Sequence, residues 1–299
     1  MRFKILLFSL LIASLANAQY RWDYGFGLGA SNYLGDMGGK EKTRRDFVAD
    51  MKMAETRWSM SAFARYKIAQ QLSVKAEISY LRIAGSDALS SNTGRHARNL
   101  SFWNDIFEFS LTPQLKIYEN PDMGSSYRFR LSFKAYVFAG IGLFHHNPKT
   151  LYKDDVYKLQ PMMTEGVKYS LWQVNVPVGT GFYFTMKKRH RVGFEASYRV
   201  CFTDYLDDVS TKYVSGLKGT AAALANRTNE LGTAVDPVTA AFFTPGHKRG
   251  DPTHKDTYMT VMLNYSYVVR GRSSFYRSRY GSFFFKKTRR KVRKIRAKF

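Results

Sequence analysis

The chain has 299 residues, a net charge of +24, 16% aromatic residues and one cysteine. A single cysteine excludes a disulfide framework within the chain. Residues 270–299 hold 13 Lys/Arg and no acid, and the first 18 residues hold two more, which leaves +9 for the body; any partner of this basicity is therefore local to the tail.

Residues 1–18 read as a secretory signal. Arg2 and Lys4 form the charged start, 5–15 an apolar core, and Ala16-Asn17-Ala18 a small-x-small cleavage site, so the mature chain is expected to begin at Gln19. The apolar run is shorter than the roughly 20 residues of a membrane-spanning helix. No lipid-attachment cysteine stands at the junction. Further on, the apolar stretches are broken every second residue by Ser, Gly, Thr, Arg or Lys.

That period of two predicts strands, because successive strand side chains point to opposite faces. In the first segment Trp22, Tyr24, Phe26, Leu28 and Ala30 share one face, and Asp23, Gly25, Gly27, Gly29 and Ser31 the other. The glycines are read as inward positions that leave room for bulky side chains, not as phosphate-binding glycines, whose spacing and following helix are absent. The second segment sets Trp58, Met60, Ala62, Ala64 and Tyr66 against Ser59, Ser61, Arg65 and Lys67. The third sets Leu72, Val74, Ala76, Ile78 and Tyr80 against Ser73, Lys75, Glu77 and Ser79. The fourth, 102–118, alternates from Trp103 to Ile117, with Asn104, Glu108, Ser110, Thr112, Gln114 and Lys116 between. The fifth, 127–144, places Leu131, Phe133, Val137, Ile141 and Leu143 opposite Ser132, Lys134, Gly140 and Gly142. The sixth, seventh and eighth carry Trp172 to Phe184, Val192 to Phe202 and Met259 to Val269 on their apolar faces. Cys201 falls in the seventh pattern and reads as a small packed residue.

Periodicity alone leaves a soluble sandwich or lipocalin-like cylinder open. Three features favour a lipid-facing one. The polar face carries charges of both signs, among them Arg65, Lys75, Glu77, Glu108, Glu195 and Arg199, which survive burial only when paired. Trp and Tyr recur near segment ends, as in interfacial belts. Connections alternate short and long, the last running over about 206–255, as in outer-membrane barrels with short periplasmic turns and longer external loops. The expected fold is all-β: an eight-stranded antiparallel transmembrane β-barrel at 19–270, with both termini in the periplasm and a basic C-terminal tail at 271–299. Such a barrel is filled by its own side chains, which disfavours a diffusion pore.

Chemistry-bearing residues are sparse. His145 and His146 near Asp154 and Asp155 lack a third ligand at regular spacing. His247, Asp251, His254 and Asp256 lack a calcium-loop spacing and read as a solvated loop. No catalytic, cofactor or metal residues are assigned, and neither a nucleic acid nor a small-molecule substrate is expected. The expected partner-binding residues lie in the tail. Phe283, Phe284 and Phe285 form an apolar anchor, followed by Lys286, Lys287, Arg289, Arg290, Lys291, Arg293, Lys294 and Arg296. Such a segment binds an acidic protein surface or anionic outer-membrane lipid through multiple charges.

Four stretches also resemble a known family. Ser31-Asn32-Tyr33-Leu34-Gly35-Asp36, Tyr80-Leu81-Arg82-Ile83-Ala84-Gly85-Ser86-Asp87, Arg98-Asn99-Leu100-Ser101-Phe102 and Asp105-Ile106-Phe107-Glu108 look like the PorG family of small barrels of Bacteroidetes-type bacteria, which belongs to the type IX secretion system. The likeness covers about 20–143. It implies a non-catalytic outer-membrane component that ties a periplasmic ring, built from a lipoprotein and its partner, to the membrane, and that is not the translocation pore. The basic tail and the long last loop depart from the family pattern. A general small barrel for adhesion or envelope integrity is the alternative, followed by an outer-membrane hydrolase.

Overall fold

The computed structural model describes residues 22–37, 53–90, 92–121, 123, 131–187 and 189–269. The proposed signal at 1–18 and the tail at 271–299 lie outside the described residues. The described chain is built on one sheet of eleven strands. These are β1 (Trp22–Leu34), β2 (Arg57–Lys67), β3 (Leu72–Ser86), β4 (Ser101–Asn120), β5 (Leu131–Ala139), β6 (Ile141–His145), β7 (Pro148–Tyr152), β8 (Asp155–Lys158), β9 (Trp172–Met186), β10 (His190–Cys201) and β11 (Thr257–Val268).

Every neighbouring pair is antiparallel, and the sheet closes on itself. β1 pairs with β2 on one side and with β11 on the other, from Asp23↔Val268 to Leu34↔Thr257. β3 joins β4 over Leu72↔Leu115 to Ser86↔Ser101. With β5 and β6 serving as one stave between β4 and β9, the result is a ring of eight strands. Closure leaves the eight staves without an unpaired edge, which an open sheet would expose. The short hairpin β7–β8 projects from one end beside β4.

The fifth segment is broken where the sequence reading had it continuous, and two prolines explain the break. The registers set Pro113 of β4 opposite Ala139, and Pro177 of β9 opposite Gly140. Neither proline has an N–H to donate, so the ladder loses a donor on both sides of the same stave. The Gly140 N–H still reaches the Pro177 carbonyl at 2.9 Å. A Cβ at Gly140 would lie 2.2 Å from the Leu111 carbonyl oxygen, so only glycine tolerates the close approach.

The two faces of the ring differ in kind. Outward side chains are apolar and exposed: Phe26 is 53% exposed, Ile117 60% and Leu263 62%. Along β4 this row runs from Phe107 to Ile117, about 34 Å of strand and about 26 Å of axial height at a tilt of about 40°. Inward side chains are polar, charged or aromatic, and Lys75 and Glu108 are wholly buried among them. Inward glycines make the space. Phe63 of β2 sits against Gly25, where a Cβ would meet its ring at 2.6 Å. Short connections at 68–71 and 187–189 lie at one end of the ring, with Trp22 and Val268. The four long connections leave the other end.

Candidate functional site

The interior is stacked in three tiers of ion pairs. Nearest the short-turn end, Asp23 of β1 pairs with Arg65 of β2 at 3.5 Å and closely with Arg191 of β10. Both guanidinium groups lie over the Tyr183 ring, at 5.1 and 4.8 Å. In the middle tier, Lys75 of β3 donates to Glu195 at 2.5 Å and to Glu77 at 2.8 Å, and Tyr136 donates to the other Glu195 oxygen at 2.7 Å. In the upper tier Glu108 of β4 accepts from Arg199 at 3.0 Å, Tyr258 at 3.1 Å and Asn175 at 3.3 Å. Lys75–Glu195 and Arg199–Glu108 join strands across the ring, while Asp23–Arg65 joins neighbours and Lys75–Glu77 lies within one strand; each charge thus has a partner, as a low-dielectric interior requires.

Above Glu108 the inward rows change character. Leu81 and Ile83 of β3, Phe102 and Ile106 of β4, Phe144, Cys201 and Tyr258 form an apolar cluster with Leu206, Val209 and Leu224 of the last loop. The outward rows change at the same level. Arg82 of β3 pairs with Asp105 of β4 at 2.6 Å, and Lys149 joins Asp105 at 3.0 Å. Along β3 and β4 the lower part is therefore polar inside and apolar outside, and the upper part is the reverse.

The described parts of the four long loops fold over this upper mouth. Arg98, from the loop between β3 and β4, donates to Asp87 at 2.7 Å, to the Arg249 carbonyl at 2.5 Å and to the Asp36 carbonyl at 3.0 Å. Arg249 in turn donates to Glu165 at 2.9 Å and to the Asp208 carbonyl at 2.5 Å. Tyr169 donates to Asp208 at 2.8 Å, and Tyr205 stacks on Tyr169 at 4.7 Å. One hydroxyl, that of Tyr33, lies 2.6 Å from Asp207 and 2.7 Å from Asp256. A phenol carries one proton, so one of these carboxyls must hold a proton of its own to make both contacts. Burial, then the neighbouring carboxylates, raises both acids well above the usual carboxylate range. Burial also pushes Asp204 up to about 7 and Asp208 up to about 6.

The residues singled out by sequence fall as follows. His146 is buried, within 3.3 Å of Asn104 and lying against the Tyr169 ring, and burial lowers it to about 4. His145 meets Trp172 edge to face at 5.1 Å. His254 reaches Asp251 at 3.2 Å, whereas His247 turns to Thr244. Asp256 is a correction: read as part of a solvated loop, it is wholly buried under the cap. Among the described residues, no three metal-ligating side chains share a site. Phe283 to Phe285 and the cations from Lys286 to Arg296 lie outside the described residues.

The cap itself was missed by sequence reasoning. Its one local sign is Leu206-Asp207-Asp208-Val209, two acids framed by apolar residues in a loop. The stretches that carried the family resemblance converge beneath it. Tyr33 meets Phe102 edge to face at 5.0 Å, Ser31 donates to the Arg82 carbonyl at 2.5 Å, and Arg98 pairs with Asp87.

The sequence model of one family, described as a domain of unknown function (DUF6089), matches residues 1–217. No curated protein matches the chain. Among solved structures, the chain is similar to the N-terminal β-barrel domain of Pseudomonas aeruginosa OprF, at 9% identity and a TM-score of 0.34, over 83% of this chain and 96% of that one. It is also similar to Ail, the attachment invasion locus protein of Yersinia pestis, in complex with the heparin analogue sucrose octasulfate, at 9% identity and 0.35, over 83% and 98%. A third similarity is to the outer membrane protein OprG from Pseudomonas aeruginosa, at 12% identity and 0.37, over 84% and 97%. These likenesses are low in identity and in score.

Proposed function

From the premise that the chain belongs to the DUF6089 family, we propose that it is a non-catalytic outer-membrane β-barrel that serves the type IX secretion system by anchoring or assembling a periplasmic ring. The observation that carries the membrane reading is the apolar belt around the ring, bounded by the reversal of polarity along β3 and β4. Water on the outside would strand an apolar belt of side chains such as Phe26, Phe109, Ile117 and Leu263 around the whole ring, whereas soluble monomers rarely expose apolar patches above a few hundred Å². Acyl chains accept that belt, and the charges turn inward to pair. The level of Tyr80 and Phe107 is then the upper edge of the hydrocarbon, and Arg82, Asp105 and Lys149 stand above it in water.

The short-turn end faces the periplasm and the stitched loops face outward, the arrangement of outer-membrane barrels. The interior filled by ion pairs and aromatic rings supports an anchor, not a conduit. The secretion role rests on the stretches that resemble the PorG family and on the basic tail. Pull-down of the tagged full-length protein from outer membranes tests it. Co-purification of a periplasmic ring lipoprotein and its partner is expected. Recovery of the barrel alone would favour the adhesion or envelope-integrity reading.

A further inference from the structure

At the short-turn end the inward rows finish in a ring of cations: Arg65 and Lys67 from β2, Lys116 from β4, Lys134 from β5 and Arg191 from β10. Two described carboxylates answer them. Asp23 faces Arg65 and Arg191, and Glu119 pairs with Lys134 at 3.0 Å and closely with Lys116. Five cations against two carboxylates leave a charge of +3 among the described residues of this mouth. Lys67, exposed at the end of β2, makes no ion pair among the described residues. The Nε atoms of Arg65 and Arg191 are buried without a hydrogen-bond partner, and so are both oxygens of Asp23, the carboxylate that these guanidinium groups face. Two such donors beside one carboxylate leave donor capacity unmet.

The cavity these residues line is about 30 Å³, room for about two waters or the tip of one carboxylate, and too small for a sugar or a nucleotide. We propose that this mouth takes up an acidic side chain of a periplasmic protein segment, seated against Arg65 with Lys67 and Lys134 as the rim. The chain's own continuation is excluded by charge. It leaves this mouth at Val269, whose N–H donates to the Trp22 carbonyl at 3.0 Å, and residues 270–299 hold 13 Lys/Arg and no acid. A segment of that composition adds to the repulsion, so the neutralising group does not come from the tail; an acidic segment of another molecule supplies it. The periplasmic identity of the partner rests on the orientation proposed above.

The test uses the full-length protein in detergent micelles, with a ten-residue glutamate peptide and a carbodiimide that couples carboxylates to lysine amines. Coupled lysines are mapped by mass spectrometry. Lys67 and Lys134 are expected to couple at the lowest peptide concentrations. Lys67→Glu should lower coupling at Lys134 at least tenfold and change coupling at the tail lysines less than twofold, while Lys67→Arg should retain coupling at Lys134. Coupling confined to the tail, or Lys134 coupling indifferent to Lys67→Glu, would overturn the proposal. So would protection of Lys67 by acetate at equal carboxylate concentration, which would make the occupant a free anion. Heat-modifiable migration of each sample reports the folded barrel separately. Labelling of Lys67→Cys by an impermeant maleimide in intact cells would refute the orientation without touching the chemistry of the mouth.

Discussion

The lower and upper halves of the ring are made from the same staves and the same alternation, yet their interiors have opposite chemistry. Below Glu108 the inward side chains are Lys75, Glu77, Glu195 and Arg199, ion-paired with one another or with Glu108 itself. Above it they are Leu81, Ile83, Ile106 and Phe144, packed under the loops. On β3 and β4 the outward rows make the complementary switch, from Phe107 and Ile78 to Arg82 and Asp105. Alternation fixes where a side chain points, and the surrounding solvent fixes what it must be. A strand that passes from lipid into water therefore inverts its pattern without changing its period. The level of inversion is a physical marker of the membrane boundary.

The sharpest way to break the comparison is at Glu108. Glu108→Ala leaves the buried Arg199 guanidinium unpaired and should cost about 3–5 kcal/mol in urea unfolding from detergent micelles. A cost below about 1 kcal/mol would mean that Arg199 is hydrated and the lower interior is wet. In the upper half, Leu206→Ala removes a wholly buried side chain from the cap and should cost about 2–5 kcal/mol. That loss should appear as faster proteolysis within 202–256, with unfolding of the ring unchanged.

On the outer face, Leu263→Arg should cost about 2–4 kcal/mol in a bilayer if it lies near the midplane. Equal stability of this variant and the parent in lipid would contradict the lipid-facing row. The smallest expected effect is that of pH on the cap. Asp208 and Asp204 are raised when folded, to about 6 and about 7, so the folded cap holds protons that the unfolded loop releases near pH 4. Their contribution is complete below that value and is lost as pH rises through 6 and 7. Protease cutting of the cap should therefore increase from pH 4 to pH 8, while heat-modifiable migration of the ring stays constant. The opposite trend would contradict the buried, protonated carboxyls.

Much of the ring was legible in the sequence because each stave repeats a two-residue signal over ten or so positions. The inward places of Lys75, Glu77, Glu108 and Arg199, and the small inward glycines, follow from parity alone. What parity cannot supply is the partner. That Lys75 meets Glu195, and Glu108 meets Arg199, depends on ring closure and stagger, which place residues 120 and 91 positions apart side by side. The break at Gly140 was hidden because Pro113 and Pro177 act from neighbouring strands. The cap was hidden for a further reason. Asp207 and Asp256 come from opposite ends of one long loop and Tyr33 from a strand end, with no shared period, and they meet only after the ring has formed.

The central claim is that the outward rows touch acyl chains. Of the outward tryptophans, Trp22 stands at the short-turn end of the apolar belt and Trp172 at its upper edge, in register with Phe107 through His145, whereas Trp58 and Trp103 stand above that edge. Reconstitution into bilayers with bromine near the top of the acyl chains tests the claim directly. Strong quenching of tryptophan fluorescence is predicted. A protein that stays in solution without detergent, with fluorescence indifferent to the brominated lipid, would contradict it.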